Sequence, residues 1–235
     1  MDSKINAVIM AGGKGTRLQP LTSEVPKPLV KIIDKPVMEC IIELLKKHGI
    51  TEIAVTLGHM ADKIIDYFGN GENFGVNLTY FVENEPLGTA GSVKGCESYL
   101  SDTFIVISGD SYTEIDLTNA ISFHKAKKSP FTLIATPHNN PVGLGVLDLD
   151  HDGRIINFIE KPQTTKPSLI NCGIYVIEKR VLNLVPEGFY DFGRQLIPDL
   201  VPEIYAFVTY DYWSDIGTLP SYYHTNYLVA MSRNA

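Results

Sequence analysis

Cysteine is scarce in this sequence, which has 3 of them, Cys40, Cys96 and Cys172, among 235 residues. They are widely spaced, are odd in number and form no Cys-x-x-Cys pair. We therefore expect neither a disulfide framework nor a zinc site. Such sparse use of thiols is typical of a reducing compartment, and we predict a cytoplasmic location.

Long apolar runs are also missing. No stretch approaches the about 20 apolar residues that a membrane-spanning helix requires, so we expect no membrane partner. The residues before the first apolar run, Met1 to Lys4, include an acid, and no cleavage site follows a long apolar core. This segment is a poor match to a secretory signal peptide.

Positive charge is in short supply as well. Lysine and arginine together number 20 against 27 aspartates and glutamates, which leaves a net charge of −7. Proteins that bind nucleic acid usually carry a basic face, so we expect no nucleic-acid partner. Any anionic ligand must then be held by a local cluster of positive groups.

Short β-type runs alternate with amphipathic stretches in the first half of the chain. The apolar run Ile5–Met10 is typical of a strand buried on both faces, and Pro36 opens a helical pattern that ends near His48 and Gly49. The pattern predicts further strands at 53–57, 78–82 and 103–107, and helices at 60–68 and about 88–100. This alternation indicates an α/β fold, Rossmann-like, with a mixed but mainly parallel central sheet flanked by helices.

The second half of the chain is less regular. We predict strands at 131–136, 145–149, 155–159, 172–177, 204–208 and 211–214, a hairpin turn at Asp152-Gly153, and helices around 192–201 and 219–232. No linker rich in Pro, Gly or Ser, no repeat and no low-complexity tract divides the sequence. We therefore predict a single domain over residues 1–235.

The segment Met10-Ala11-Gly12-Gly13-Lys14-Gly15-Thr16-Arg17 lies directly after the first predicted strand. Ligands of open α/β sheets bind at the carboxyl ends of strands, so this loop is well placed for a substrate site. Its glycines let backbone N–H groups approach phosphate oxygens, and Lys14 and Arg17 add positive charge. The P-loop pattern is absent, and the dinucleotide fingerprint lacks its last glycine at Leu18. The alternative is a tight turn with incidental charges.

Three more charged residues stand near loops or strand ends. Lys27 lies in the stiff segment Pro26-Lys27-Pro28-Leu29. By itself this segment suggests a lysine on a solvated loop. Its position ten residues after Arg17 favours instead a phosphate site that the two residues share. Asp110 ends a predicted strand at the same sheet edge as the glycine loop, and Asp215 precedes a glycine turn. Two carboxylates beside a nucleotide could hold Mg²⁺, although each aspartate by itself is more often a turn or cap residue.

A second group of polar residues lies in the later half. Glu160-Lys161-Pro162 follows a predicted strand, and Asn171-Cys172-Gly173 opens another. One interpretation gives the lysine to a sugar phosphate and the glutamate and asparagine to hydroxyl groups. The other is an exposed ion pair at a strand end, which the local sequence alone favours.

Together these motifs resemble the nucleotidyltransferase family that makes nucleotide sugars, with matches from Val8 to Thr218. The family's loop signature, followed by Pro-Lys-Pro-Leu, reads here as the segments 12–22 and 26–29. The segment Glu85–Gly91 resembles the base-and-ribose-binding stretch of the guanylyltransferase branch. Tyr190-Asp191-Phe192 and Tyr212–Thr218 also resemble bacterial mannose-1-phosphate guanylyltransferases.

The resemblance implies a nucleotide-diphospho-sugar transferase fold and a role for each matching position. The nucleoside triphosphate would be bound by Ala11, Gly12, Gly13, Lys14, Gly15, Thr16, Glu83, Glu85, Gly88 and Thr89. The catalytic residues would be Arg17, Lys27, Asp110, Lys161 and Asp215, with Asp110 and Asp215 as the ligands of Mg²⁺. The sugar 1-phosphate would be bound by Gly145, Glu160, Lys161, Asn171 and Gly173.

The implied chemistry suits the residues present. A sugar-1-phosphate oxygen attacks the α-phosphorus of the triphosphate and expels pyrophosphate. A phosphate monoester has a second pKa near ~6 and is already an anion at neutral pH, so no general base is needed. Guanine presents an N1–H and an amino group side by side, which a carboxylate can accept. We predict that Glu83 or Glu85 binds guanine, with GTP and mannose 1-phosphate as favoured substrates.

Other substrates and other functions stay open. The enzyme could transfer uridylyl, thymidylyl or guanylyl groups to the 1-phosphate of glucose, N-acetylmuramate or heptose. A homologue without activity that binds nucleotide sugars as a regulatory subunit is a second class. A metal-dependent glycosyltransferase would use an Asp-x-Asp pair, but Asp148-x-Asp150 lies outside the nucleotide half.

The C-terminal region leaves two further questions open. Many family members continue into a left-handed β-helix of hexapeptide repeats, which this sequence does not show after Tyr227. It is therefore either a short member or the catalytic part of a longer protein. Tyr222, Tyr223 and Tyr227 would pack either on a partner, as in a homo-oligomer, or on the chain's own core.

Overall fold

A computed structural model describes residues 4–233 of the chain. The prediction about a leader falls largely on residues 1–3, which lie outside that range. The strands are β1 Asn6–Met10, β2 Lys31–Ile32, β3 Lys35–Pro36, β4 Glu52–Leu57, β5 Asn77–Val82, β6 Thr103–Ser108, β7 Ser111–Thr113, β8 Phe131–His138, β9 Val146–Leu149, β10 Ile155–Ile159, β11 Ser168–Glu178, β12 Tyr205–Val208 and β13 Trp213–Asp215. The α-helices are α1 Val37–Lys47, α2 Ala61–Phe68, α3 Gly88–Gly95, α4 Leu117–Lys127, α5 Ile197–Leu200 and α6 Leu219–Arg233.

The central sheet has 9 strands. Strand β1 lies between β4 and β6, β5 follows β4, and all of these neighbours are parallel. Strand β11 pairs antiparallel with β6, β8 and β9; β10 extends the sheet beyond β9, and β12 lies parallel beside β8. The predicted α/β fold with a mixed central sheet is confirmed, and the parallel pairing lies mostly in the first half of the chain.

The two faces of β1 explain its continuous apolar sequence. Ile9 belongs to a core cluster with residues of α1, α2 and α4, whereas Val8 belongs to a second cluster with residues of α3 and α5. Successive side chains of a strand point to opposite faces, so a strand covered by helices on both sides must be apolar throughout. This burial fixes the position of the loop that leaves β1 after Met10.

The structure corrects several predicted elements. Helix α4 was not predicted, because its buried face consists of Leu117, Ala120 and a histidine, His124, which makes a weak apolar stripe. Helix α3 ends at Gly95 instead of near residue 100, since glycine is a poor helix former, and a 3₁₀ turn follows at Glu97–Tyr99. The predicted helix at 192–201 consists of a π-type turn followed by the short α5.

The strand predicted at 211–214 begins and ends later in the structure. Strand β13 spans Trp213–Asp215 because it pairs antiparallel with β7, which the sequence pattern did not predict. Asp211 lies outside this pairing and accepts a hydrogen bond from the backbone N–H of Asp116 at 3.1 Å. The shift brings Asp215 opposite Ser111 in a two-stranded sheet formed by β7 and β13, next to the end of β6.

Helix α6 closes a third, smaller core cluster. Its Val229 packs with Leu18 and Val30, which flank the segments that carry Arg17 and Lys27, and Tyr222 packs against the same cluster. Tyr223 and Tyr227 are instead 61% and 58% exposed. No helix of the part of the chain that the structure describes is long and apolar enough to cross a membrane.

Candidate active site

A large cavity opens at the carboxyl ends of β1, β4 and β6. It has a volume of about 610 Å³ and is lined by residues of the glycine loop, of the segment after β5 and of the start of α3. Of the residues predicted to bind nucleotide, Gly12, Gly13, Lys14, Glu83, Glu85, Gly88 and Thr89 line this cavity. The sequence separates the loop from Glu83 by seventy residues, and the parallel pairing of β1, β4 and β5 brings them together.

Two smaller cavities continue the cleft toward the second half of the chain. One has a volume of about 170 Å³, and the other about 330 Å³. All of the residues predicted to bind the sugar, namely Gly145, Glu160, Lys161, Asn171 and Gly173, line the first of them, together with Arg17, Asp110 and Asp215. Asp110 lines both the 610 Å³ and the 170 Å³ cavity, so it marks the junction of the two.

The other residues predicted to bind nucleotide, Ala11, Gly15 and Thr16, line none of the three cavities and instead shape the glycine loop. The backbone N–H of Ala11 donates to the Thr56 carbonyl at 2.9 Å and so fixes the start of the loop against β4. Gly15 has a φ of 63°, and a Cβ there would lie 3.1 Å from Lys27 Cβ. This left-handed conformation strongly favours glycine, and Thr16 then begins a 3₁₀ turn.

Lys27 joins the two aspartates. Its Nζ lies 2.5 Å from Asp110 Oδ2 and 3.4 Å from Asp215 Oδ1, and the lysine side chain is only 7% exposed. Arg17, which is 61% exposed, reaches Asp215 Oδ2 at 3.8 Å. Two carboxylates and two cations therefore meet at the junction of the cavities, and only Arg17 extends largely into solvent.

Tertiary packing brings the two carboxylates together at one sheet edge. Gly109 donates its backbone N–H to the Met10 carbonyl at 2.8 Å, and a Cβ at Gly109 would lie 2.8 Å from that oxygen, so only glycine lets β6 end this close to β1. The N–H of Ile216 donates to the Asp110 carbonyl at 3.2 Å. Through these contacts Asp110 and Asp215 share a site although 105 residues separate them.

The charges around the two aspartates shift their pKa values in opposite directions. Burial alone would raise the pKa of Asp110, but the Lys27 ammonium and hydrogen bonds from Lys27 and Ser108 hold it below its usual value. Burial and the negative charge of Asp110 raise the pKa of Asp215, against the opposing effect of Lys27. Asp215 is therefore the carboxylate that gains most from additional positive charge.

The donor set suits a hard divalent ion. Lys27 binds one oxygen of each aspartate, which demonstrates that a cation fits between Asp110 and Asp215. No cluster of three or more His, Cys, Asp or Glu side chains suited to a metal occurs among residues 4–233. Ions such as Mg²⁺ commonly bind to one or two carboxylates and take their other ligands from phosphates and water. The two aspartates fit that pattern.

The sugar side of the cleft is shaped by β11 and by the segment after β10. Lys161 adopts an uncommon φ of 51°, and its Nζ lies 3.4 Å from Glu160 Oε1. The pairing of β11 with β8 shifts register between Asn171 and Tyr175, and there Asn171 Nδ2 donates to the Tyr175 hydroxyl at 2.9 Å. Burial raises the pKa of Tyr175, so the hydroxyl keeps its proton. These contacts hold the polar side chains at the cavity wall.

Glu83 and Glu85 differ in their surroundings. Glu83 is half-buried, and its Oε2 accepts the backbone N–H of Leu87 at 3.2 Å. Its Oε1 is buried and has no hydrogen-bond partner among the described residues. Glu85 is exposed. Glu83 therefore lines the 610 Å³ cavity and carries one buried carboxylate oxygen that no described residue contacts.

Two residues of the cleft received no site role from the sequence, although one of them, Asp191, lies in the motif Tyr190-Asp191-Phe192 noted above. Ser108 lines all three cavities, and Asp191 lines the two of 610 Å³ and 330 Å³. Asp191 accepts the backbone N–H groups of Gly193 and Arg194, as the N-cap of the turn that follows. An aspartate directly before a helical pattern is a recognisable cap signal, whereas nothing local distinguishes Ser108 as a site residue.

The sequence and the fold are similar to those of several known proteins. A family model described as "Nucleotidyl transferase" matches residues 6–232. A UTP–glucose-1-phosphate uridylyltransferase from Synechocystis sp. is 38% identical, over 93% of this chain and 62% of the relative. A mannose-1-phosphate guanylyltransferase from Mycobacterium tuberculosis is 31% identical, over 92% of this chain and 62% of the relative.

A solved structure resembles the whole chain. The crystal structure of HddC from Yersinia pseudotuberculosis complexed with GMP-PN superimposes with a TM-score of 0.84 and 32% sequence identity, over 96% of this chain and 99% of that one. By contrast, the chain spans 62% of the length of each of the two curated relatives. The family match extends from the strand that precedes the glycine loop to the helix that packs behind it. The chain belongs to the nucleotidyl transferase family, the sugar-1-phosphate nucleotidyltransferases.

Proposed function

We propose that the chain transfers a nucleotidyl group from a nucleoside triphosphate to a sugar 1-phosphate and releases pyrophosphate. The observation that carries this proposal is the position of Asp110, which lines both the 610 Å³ cavity and the 170 Å³ cavity and contacts Lys27. In this arrangement the base and ribose occupy the larger cavity and the sugar phosphate the smaller. The reacting phosphates then meet between them, beside the buried lysine.

The residues supply positioning and positive charge, and no general base is required. Lys161 holds the sugar phosphate, whose oxygen is already anionic at neutral pH. Arg17 and Lys27 bind the triphosphate and stabilise the negative charge that develops on it as pyrophosphate leaves. Preorganised cations in a partly buried cleft act more strongly than they would in water.

We propose Mg²⁺ as the cofactor, held by Asp110 and Asp215. When bound, such an ion neutralises phosphate oxygens and orients them. The supporting observation is that two carboxylates, one from the turn between β6 and β7 and one from β13, converge on one cation, the Lys27 ammonium.

We favour GTP as the nucleotide, with guanine bound by Glu83. Glu83 lines the larger cavity, and its buried Oε1, which has no partner among the described residues, can accept a hydrogen bond from the guanine N1–H or amino group when the side chain turns toward the cavity. The complex of HddC with GMP-PN, a relative of nearly the same length, also supports a guanine nucleotide. The uridylyltransferase from Synechocystis sp. makes UTP the second candidate.

Mannose 1-phosphate is the favoured sugar substrate, and the other sugars named above remain candidates. The supporting observation is the mannose-1-phosphate guanylyltransferase among the relatives. Glucose 1-phosphate is the second candidate because of the uridylyltransferase. The choice between these sugars would be made in the 170 Å³ cavity, which Glu160 and Asn171 line.

A matrix of four nucleoside triphosphates against a panel of sugar 1-phosphates, with pyrophosphate release as the readout, tests the proposal. We expect the highest kcat/KM for GTP with mannose 1-phosphate. Activity with another pair would correct the substrates and leave the reaction class intact. If no pair releases pyrophosphate while nucleotide sugars bind, the chain is instead a regulatory homologue.

A further inference from the structure

The carboxylate oxygens that a metal ion would need are already occupied. Asp110 Oδ1 accepts a hydrogen bond from Ser108 Oγ at 2.5 Å, and Asp110 Oδ2 lies 2.5 Å from Lys27 Nζ. The same Nζ lies 3.4 Å from Asp215 Oδ1. The ammonium group of Lys27 therefore fills the gap between the two aspartates.

Asp215 makes two further contacts beside this gap. Its Oδ1 also accepts the backbone N–H of Gly217 at 2.7 Å, and its Oδ2 faces Arg17 Nη2 at 3.8 Å. An ion that binds both Asp110 and Asp215 must approach oxygen to about 2.1 Å. A divalent ion and an ammonium group cannot both occupy so small a space.

We propose that Lys27 and the divalent ion compete for the gap between Asp110 and Asp215. The nucleotide-free protein binds the ion weakly for this reason. A triphosphate opens the metal site when it draws Lys27 and Arg17 away from the aspartates and onto its own phosphates. This inference rests on the proposed function, which brings the triphosphate to the cleft.

The surroundings of the two cations are consistent with this exchange. Arg17 is largely exposed and can turn toward a phosphate, whereas Lys27 is buried and the prolines on either side of it restrict its backbone, so its exchange requires only a movement of the side chain. Several anionic phosphate oxygens compensate both cations better than two carboxylates that also repel each other. Because coupling between ligands is reciprocal, the ion and the nucleotide each strengthen the binding of the other.

Mn²⁺ binding to the nucleotide-free protein, measured by electron paramagnetic resonance, tests the competition without any assay of activity. We expect Lys27→Met to lower the Kd for Mn²⁺ by about tenfold or more, within the usual range of coupling between sites. Lys161→Met is the control, because it removes one positive charge from the same cleft. In the wild type Lys161 pairs with Glu160 and not with the two aspartates, so its loss should leave the Kd for Mn²⁺ nearly unchanged. Adding Asp110→Asn to Lys27→Met should abolish the gain.

Circular dichroism checks that each variant is folded. If Lys27→Met does not fold, Lys27→Gln removes the charge while it keeps an N–H donor for the carboxylates, and the same gain is expected. A Kd in the folded variant equal to that of the wild type overturns the competition, even if the protein is an active, metal-dependent transferase. Tighter Mn²⁺ binding by a protein that never releases pyrophosphate supports the competition and rejects the proposed function.

Discussion

The hydroxyl of Thr89 donates a hydrogen bond to Asp191 Oδ2 at 3.0 Å, across 102 positions of the sequence. The Thr89 oxygen in turn accepts the backbone N–H of Phe192 at 2.9 Å. Thr89 stands at the start of α3 in the 610 Å³ cavity, and Asp191 also lines the 330 Å³ cavity. This pair therefore connects the nucleotide side of the cleft to its sugar side.

Replacing Asp191 with alanine should lower the stability of the protein and weaken the binding of both substrates. Loss of an N-cap costs about 0.5–2 kcal/mol, and we expect a decrease of that size in the free energy of unfolding, measured in urea. The KM values for both substrates should rise. Asp199→Ala is the matched control, because Asp199 binds the Tyr190 hydroxyl but lines none of the three cavities. Unchanged KM values in Asp191→Ala would show that the Thr89–Asp191 pair does not connect the two sides of the cleft.

Asp110→Asn should lower kcat by about 10²–10³-fold, the usual cost of losing one preorganised electrostatic contact. Asp215→Asn should have a similar effect, and the double variant should cost little more than either one, because groups that act as a unit are not additive. Pyrophosphate release under saturating substrates measures this. Asp148→Asn, which alters a carboxylate outside the cleft, is the control. Unchanged release in Asp110→Asn would remove the catalytic role.

Gly15→Ala should reduce both stability and activity. A left-handed conformation costs a residue with a Cβ about 1–2 kcal/mol, and the new methyl would press on Lys27 and Thr22. Gly13→Ala is a matched control for stability in the same loop, since a Cβ there meets no atom within 4 Å. Denaturation in urea compares the two variants, and steady-state kinetics measures the loss of activity in Gly15→Ala. Equal stability of both variants would show that Gly15 carries no special strain.

Glu83→Gln should change the choice of nucleotide more than Glu85→Gln. The amide keeps one acceptor oxygen but places a donor where guanine also donates, so kcat/KM for GTP should fall relative to UTP. A decrease of about tenfold corresponds to the loss of one hydrogen bond to a charged group. Competition between GTP and UTP in one reaction measures the ratio. If both variants keep the wild-type preference, neither glutamate binds the base.

The folded protein should lose stability as the pH falls from about 6.5 toward 5. Burial lowers the pKa of His124 and of His48, so in this range the unfolded chain binds protons that the folded one does not. The two histidines therefore contribute fully to stability above about pH 6.5, the pKa of histidine in the unfolded chain. That contribution is lost as the pH falls toward their lower pKa values in the folded protein. His124→Gln should reduce the slope of unfolding free energy against pH. His151→Gln alters an exposed ring and should leave it unchanged.

The sequence predicted the parallel half of the fold well and the second half less well. Runs such as Ile5–Met10 are apolar at every position, and this pattern requires burial on both faces wherever the strand is placed. Helix α4 was missed because His124 occupies a core position and bonds to Thr132 and Glu178, partners that only the fold supplies. The bounds of strand β13 were predicted wrongly because they depend on its pairing with β7.

By itself the sequence determined the glycine loop, its position after a buried strand and the stiff segment around Lys27. These features depend on residues within about one turn or loop of each other. Only the tertiary structure placed the Lys27 ammonium between Asp110 and Asp215, which are 83 and 188 positions away. It also decided that Glu83 is half-buried with one carboxylate oxygen lacking a partner among the described residues, whereas Glu85 is exposed. Charge and burial at a site depend on strand pairing and on packing between distant segments, which no local pattern encodes.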